Sequence, residues 1–143
     1  MAAQTFRSKI DWFFVAIPAV VAIRLLWPVP AHLRAGGDIP WPNLLTPLLL
    51  AAFFVWLARS IRYEIRDDAL IVHQPIVNAE IPLASIYKLR ATRSVLAAPA
   101  LSLDRMEVLA SKGPFVVISP KDKAAFVRAI RARVPTVIVE GLD

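Results

Sequence analysis

Lys88, Arg90 and Arg93 recur at near-alternate positions in the segment IYKLRATR, with Tyr87 among them, and the apolar stretch Val95–Pro99 follows at once. Alternate residues of an extended chain share a face, so these cations form a basic stripe. Its chemistry is contact with an anionic lipid surface, where each cation contributes about 1 kcal/mol and Val95 and Leu96 dip into the interface. The competing reading is a solvated strand face beside a loop packed on its own domain.

Ser102 and Arg105, in SLDRMEV, form a second pair. A hydroxyl and a guanidinium three residues apart could hold a ligand or partner carboxylate. More often such a pair is structural, Ser102 bonding a turn and Arg105 pairing with Glu107, Asp104 or a neighbouring strand's acid. Only two histidines exist, His32 and His73, in different halves of the chain. His73 lies on an expected strand and reads as a packed or exposed imidazole, not as a ligand. The chain has no cysteine, which excludes disulfides, thiolate nucleophiles and cysteine-ligated metals. No spacing fits a zinc or copper site, and no Ser/His/Asp set or glycine-rich phosphate loop is present. The sequence therefore predicts no catalytic residue, no metal and no cofactor.

The elements that must position these residues divide the chain in two. All four tryptophans bracket apolar stretches: Trp12 and Trp27 the first, Trp41 and Trp56 the second, each pair fifteen residues apart. At about 1.5 Å per residue, each pair spans about 22 Å of helix, a little less than the hydrocarbon thickness of a bilayer. Tryptophan favours the membrane–water interface, so residues 1–58 predict a transmembrane hairpin, with spans at about 12–30 and 39–58. Arg24 interrupts the first span near its far end. It reads as a snorkelling end charge, the alternative being a residue of an ion or substrate pathway. A signal peptide ending near Ala31 is opposed by Asp11 and Arg24. Arg7 and Lys9 precede the hairpin, Arg59, Arg62 and Arg66 follow it, and only Arg34 lies between the spans. By the positive-inside rule both termini face the cytoplasm. Trp12 and Trp56 then mark the inner interface, Trp27 and Trp41 the outer.

Residues 59–143 hold thirteen Lys/Arg against nine Asp/Glu, part of a net charge of +6. That balance suits an anionic membrane face. The basic helix expected over Lys121–Arg133 carries no nucleic-acid reading motif, and no nucleic-acid partner is predicted.

Within residues 59–135, Ile61–Arg66 alternates apolar and charged residues, which predicts a half-buried strand. Asp67-Asp68 turns it into a partner over Ala69–Gln74. Further strands are expected over Ile76–Ile81, Ile86–Arg93 (Tyr87, Leu89 and Ala91 on one face), Leu103–Ala110 and Phe115–Ser119. A terminal helix follows, with Ser119 as cap and Pro120 at its first position. Its apolar stripe is Phe126, Val127, Ile130 and Val134. The tail 136–143 is either an edge strand or disordered. The architecture predicted is α+β, a mainly antiparallel open barrel or sandwich closed by the helix.

Tyr63–Leu70 (YEIRDDAL), Ile81-Pro82-Leu83 with Ile86, Ser102–Val108, and Ile118–Asp122 (ISPKD) with Phe126 together resemble the bacterial pleckstrin-homology-like domains of the YyaB-like kind, over about residues 61–134. The resemblance implies a strongly bent β-structure of two sheets packed nearly at right angles and closed by the C-terminal helix. It also implies a small bacterial inner-membrane protein whose domain follows one or two membrane helices. Phosphoinositide-binding members of the wider fold gather cations around the first strand–turn–strand. Here that turn is Asp67-Asp68, which repels phosphate. The function expected is a membrane-anchored, non-catalytic binding or scaffold module that contacts a protein partner or the anionic membrane surface. Its rival is an accessory subunit of a transport or envelope-assembly system in which the hairpin does the work.

Overall fold

Gln4–Arg7 forms a first strand, β1, ahead of either apolar helix, and pairs antiparallel with Arg62–Ile65 (β2) on their far side. The computed structural model describes residues 3–93 and 102–142. By contact the chain divides into two units. Asp11–Leu57 form one; the segment up to Ile10 and the chain from Ala58 onward form the other. The folded module expected from residue 59 thus takes in the residues ahead of the hairpin as well. Four residues (QTFR) carry too short an alternation to announce a strand, and their partner is distant in sequence.

The first unit holds α1 (Trp12–Leu26), α2 (Val29–Arg34) and α3 (Trp41–Ser60). Trp12–Arg34 and Trp41–Ser60 are long and apolar enough to cross a membrane. No residue of α1 is buried, and Pro47 alone is buried in α3. Helical order continues past the expected ends at residues 30 and 58, so the connection shortens to residues 35–40. Gly36 supplies the left-handed backbone there (φ +76°). The Asn43 side-chain amide donates to the Leu25 carbonyl at 3.1 Å, joining the first turn of α3 to the last of α1.

The module contains two four-stranded sheets. One runs β1-β2-β3-β4, with β3 at Ala69–His73 and β4 at Ala79–Pro82. The other runs β7-β6-β5-β8, from Val116–Ile118 (β7), Arg105–Ala110 (β6), Ile86–Thr92 (β5) and Ile138–Glu140 (β8). A short 3-10 turn, Leu83–Ser85, joins them. The expected alternation in β2 is present: Ile61, Tyr63 and Ile65 are buried, Arg62 and Arg66 exposed. Apolar content misplaces the next strand, because Ile76 and Val77 are 92% and 68% exposed in the β3–β4 connection and pairing begins only at Ala79. In β5 a bulge shifts the register between Ile86 and Lys88. Ile86 and Leu89 are therefore both buried while Tyr87 turns outward, against the simple alternation expected. The tail resolves as β8, a parallel neighbour of β5.

Phe126, Val127, Ile130 and Val134 bury the stripe of α4 (Lys123–Arg133) as the 3.6-residue period requires. Its cap is Asp122, whose carboxylate accepts from the Ala125 N–H at 2.8 Å, not Ser119. The stretch expected to start the helix is otherwise engaged. Lys9 N–H donates to the Ser119 carbonyl (2.7 Å) and Lys121 N–H to the Arg7 carbonyl (2.9 Å), with Ser8 and Pro120 bridged between them.

Candidate functional site

The segment around β1 stitches three elements together. Phe6 meets Phe126 edge-on at 5.3 Å between ring centroids, and Tyr63 meets the same ring at 6.4 Å. The Tyr63 hydroxyl donates to Ser8 Oγ (3.2 Å) and accepts from the Ser119 N–H (3.1 Å); the Ser8 and Ser119 hydroxyls are 3.2 Å apart. All three residues are buried, so their polar atoms depend on one another. Lys9 Nζ lies 3.0 Å from Asp104, and Lys123 grips the same carboxylate. Hydrogen bonds from Lys123, then Lys9, hold the Asp104 carboxyl below the usual range, against a smaller opposing effect of burial.

The basic stripe of β5 is compensated within its own sheet. Lys88 pairs with Glu140 of β8 at 2.6 Å. Arg90 donates through Nε to Glu107 of β6 at 2.9 Å, with a second contact from its terminal nitrogen. Arg93 is exposed. Val95 and Leu96 lie outside the described residues. Ser102 and Arg105 come together: Ser102 Oγ accepts from the Asp104 N–H (3.1 Å), and Arg105 Nε donates to the Ser102 carbonyl (2.7 Å). Both are buried, and these bonds shape the turn that leads into β6.

On the other sheet, strand register builds a row that the sequence does not announce. Arg7 of β1 stands opposite Arg62 of β2, and Arg62 opposite His73 of β3. Paired residues point to one face, with Cβ atoms about 4.5–5.5 Å apart, and like charges so placed repel. Glu64, two residues along the same face, is already engaged by Arg66 Nε (2.8 Å) and His73 Nε2 (3.0 Å). The bond from Arg66, then that from His73, keeps its carboxyl below the ordinary value, and Glu64 in turn raises the Arg66 guanidinium. Among the described residues neither Arg7 nor Arg62 has an acidic partner. Arg7 also lines an open groove with Thr5 and Phe6, faced by Lys121, Asp122 and Lys123. The sequence signals Arg7 and Arg62 only as charges flanking the hairpin, because their adjacency depends on pairing between segments far apart in the chain.

Trp12 and Trp41 are the first residues of α1 and α3, Trp27 follows the end of α1, and Trp56 lies in the last turns of α3; each is more than half exposed. Arg24 is in the last turn of α1. Among the described residues no cluster of His, Asp or Glu could hold a metal ion.

A family model described as Bacterial PH domain matches residues 61–134. No curated protein and no solved structure matches the chain.

Proposed function

The chain belongs to the bacterial PH domain family, and from that premise we propose that it is a membrane-anchored, non-catalytic binding module. Domains of this family are in general binding modules. The helices α1–α2 and α3 cross the bacterial inner membrane as a hairpin, with the module and both termini in the cytoplasm. The module engages a protein partner or the anionic lipid surface. One observation carries the reading: β1 and β2 are adjacent strands of one sheet, and the whole hairpin is the loop between them. A chain that leaves a folded sheet and returns to it crosses a bilayer an even number of times. The exposed apolar surface of the helices requires a nonpolar environment, and the arginines on both flanks favour the cytoplasmic side.

Because the chain has no native cysteine, the topology is open to clean labelling. Arg7→Cys with Arg62→Cys should form an intramolecular disulfide when isolated membranes are treated with an added oxidant such as copper phenanthroline with dissolved oxygen, since paired residues lie within bonding range. Asp67→Cys should react with an impermeant maleimide in inverted vesicles and not in right-side-out ones. The opposite labelling pattern overturns the orientation. Cross-linking in membranes, followed by recovery of the chain, should yield a specific protein or show binding to anionic vesicles. Neither outcome appearing overturns the binding-module reading.

A further inference from the structure

We propose that Arg7 and Arg62 together form a binding site for one phosphate, that of an anionic lipid headgroup at the root of the hairpin. The site rests on the membrane-anchored reading above. Its first support is electrostatic. Two exposed arginines held side by side by strand register repel, and the acid next along β2 on that face, Glu64, is spent on Arg66 and His73. A shared anion removes the repulsion.

The second support is geometric. Guanidinium groups bind phosphate oxygens through paired, charge-assisted hydrogen bonds, and Cβ atoms about 5 Å apart let two of them converge on one phosphate. Lys121 adds a third cation, since its N–H bonds the Arg7 carbonyl and both residues line the same groove. Asp122, the acid in that groove, is turned into the first turn of α4 as its cap.

The third support is chain reach. Arg62 follows the last residue of α3 by two positions and Arg7 precedes the first of α1 by five. At no more than about 3.6 Å per residue, the pair cannot stray more than about 7 Å and 18 Å from those helix ends. The site is also at the opposite end of β2 from the acidic Asp67-Asp68 turn. Phosphate bound there stabilises the pairing of β1 with β2, and so the closure of the hairpin.

The test uses the full chain in phosphatidylcholine nanodiscs with increasing phosphatidylglycerol, reading the thermal unfolding of the module. Phosphatidylglycerol should raise the midpoint. Arg7→Gln with Arg62→Gln, both at exposed positions, should weaken the apparent affinity for it about thirtyfold, the factor for two cations at a lipid surface. Arg128→Gln with Arg131→Gln, on the exposed face of α4, should leave it unchanged. An equal loss in both double variants, or none in the first, overturns the site. Millimolar inorganic phosphate in pure phosphatidylcholine should not reproduce the effect; if it does, the ligand is a free phosphate and the lipid assignment falls. Carbonate extraction separates the two readings. Release of the wild-type chain overturns the anchoring, whereas retention without any phosphatidylglycerol response overturns this site alone.

Discussion

The two sheets carry the same decoration, basic residues spaced along an exposed strand face, and dispose of it in opposite ways. On β5, Lys88 and Arg90 meet Glu140 and Glu107 from the flanking strands. On β2, Arg62 meets Arg7 on one side and His73 on the other. A stripe of cations in a sequence is thus only half a statement about charge, because the other half is supplied by neighbours that register selects. In the second sheet register sets two of the stripe's three cations, Lys88 and Arg90, against acids. In the first it concentrates charge beside the two chain ends of the hairpin.

The largest test of this contrast removes what holds the first sheet's extra strand in place. Phe126→Ala deletes a fully buried ring that both Phe6 and Tyr63 contact. Large-to-small changes of this kind cost about 3–5 kcal/mol. Hydrogen exchange on the full chain in detergent should show β1 losing protection before β5. Equal loss in both strands would mean that β1 is not separately dependent on α4.

A smaller change makes the second sheet resemble the first. Glu107→Gln leaves Arg90 a neutral amide oxygen that still accepts its hydrogen bond, so only the ion-pair part is lost, about 1 kcal/mol or less with Arg90 half exposed. The same variant should gain affinity for anionic vesicles relative to wild type. An unchanged melting temperature together with unchanged vesicle binding would show that the ion pair does not mask the stripe.

How much of this was legible beforehand follows from the range of each interaction. The β2–β3 hairpin, the stripe of α4 and the tryptophan-bracketed helices depend on residues a few positions apart, so periodicity reveals them. Ser102 was legible as a turn residue for the same reason, whereas the bond from Arg105 to the Ser102 carbonyl was not, since an acid was expected as its partner. The role of Ser119 was not, because Lys9 and Tyr63 reach it from distant segments and pass the cap to Asp122. The bulge at Tyr87 was hidden too, since alternation contains no mark of the extra residue. The Arg7–Arg62 pair lay furthest from view: its strands are separated by the entire hairpin, and no local pattern records that Gln4–Arg7 is a strand.

Reversing one charge in that pair should act in the other direction. Arg62→Glu replaces a like-charged cross-strand pair by an opposite one, with an expected gain of about 0.2–1 kcal/mol. In detergent free of anionic lipid, the full chain should melt at a slightly higher temperature than wild type. Added phosphatidylglycerol should narrow the difference, because only the wild type retains the paired arginines. A variant less stable than wild type under the first condition would show that Arg7 and Arg62 do not repel in the folded chain.

The smallest expected effect concerns Asp104, the carboxylate that ties the segment ahead of α1 to α4 through Lys9 and Lys123. Its folded pKa is depressed by those two ammonium groups. A depressed carboxyl contributes stability that is present above its unfolded value, about 3.9, and lost as pH falls through the lower folded value. The side chain is half exposed, so solvent and salt screen the contribution. Asp104→Asn should therefore lower the melting temperature slightly at neutral pH. The two melting curves should begin to converge as pH falls below about 4 and meet below the lower folded value, where the folded wild-type carboxylate is itself neutralised. Raising salt at pH 7 should narrow the gap in the same way. Curves that stay parallel through the acid range would place the stabilising contribution of Asp104 outside its charge, in the turn that Ser102 and Arg105 already shape.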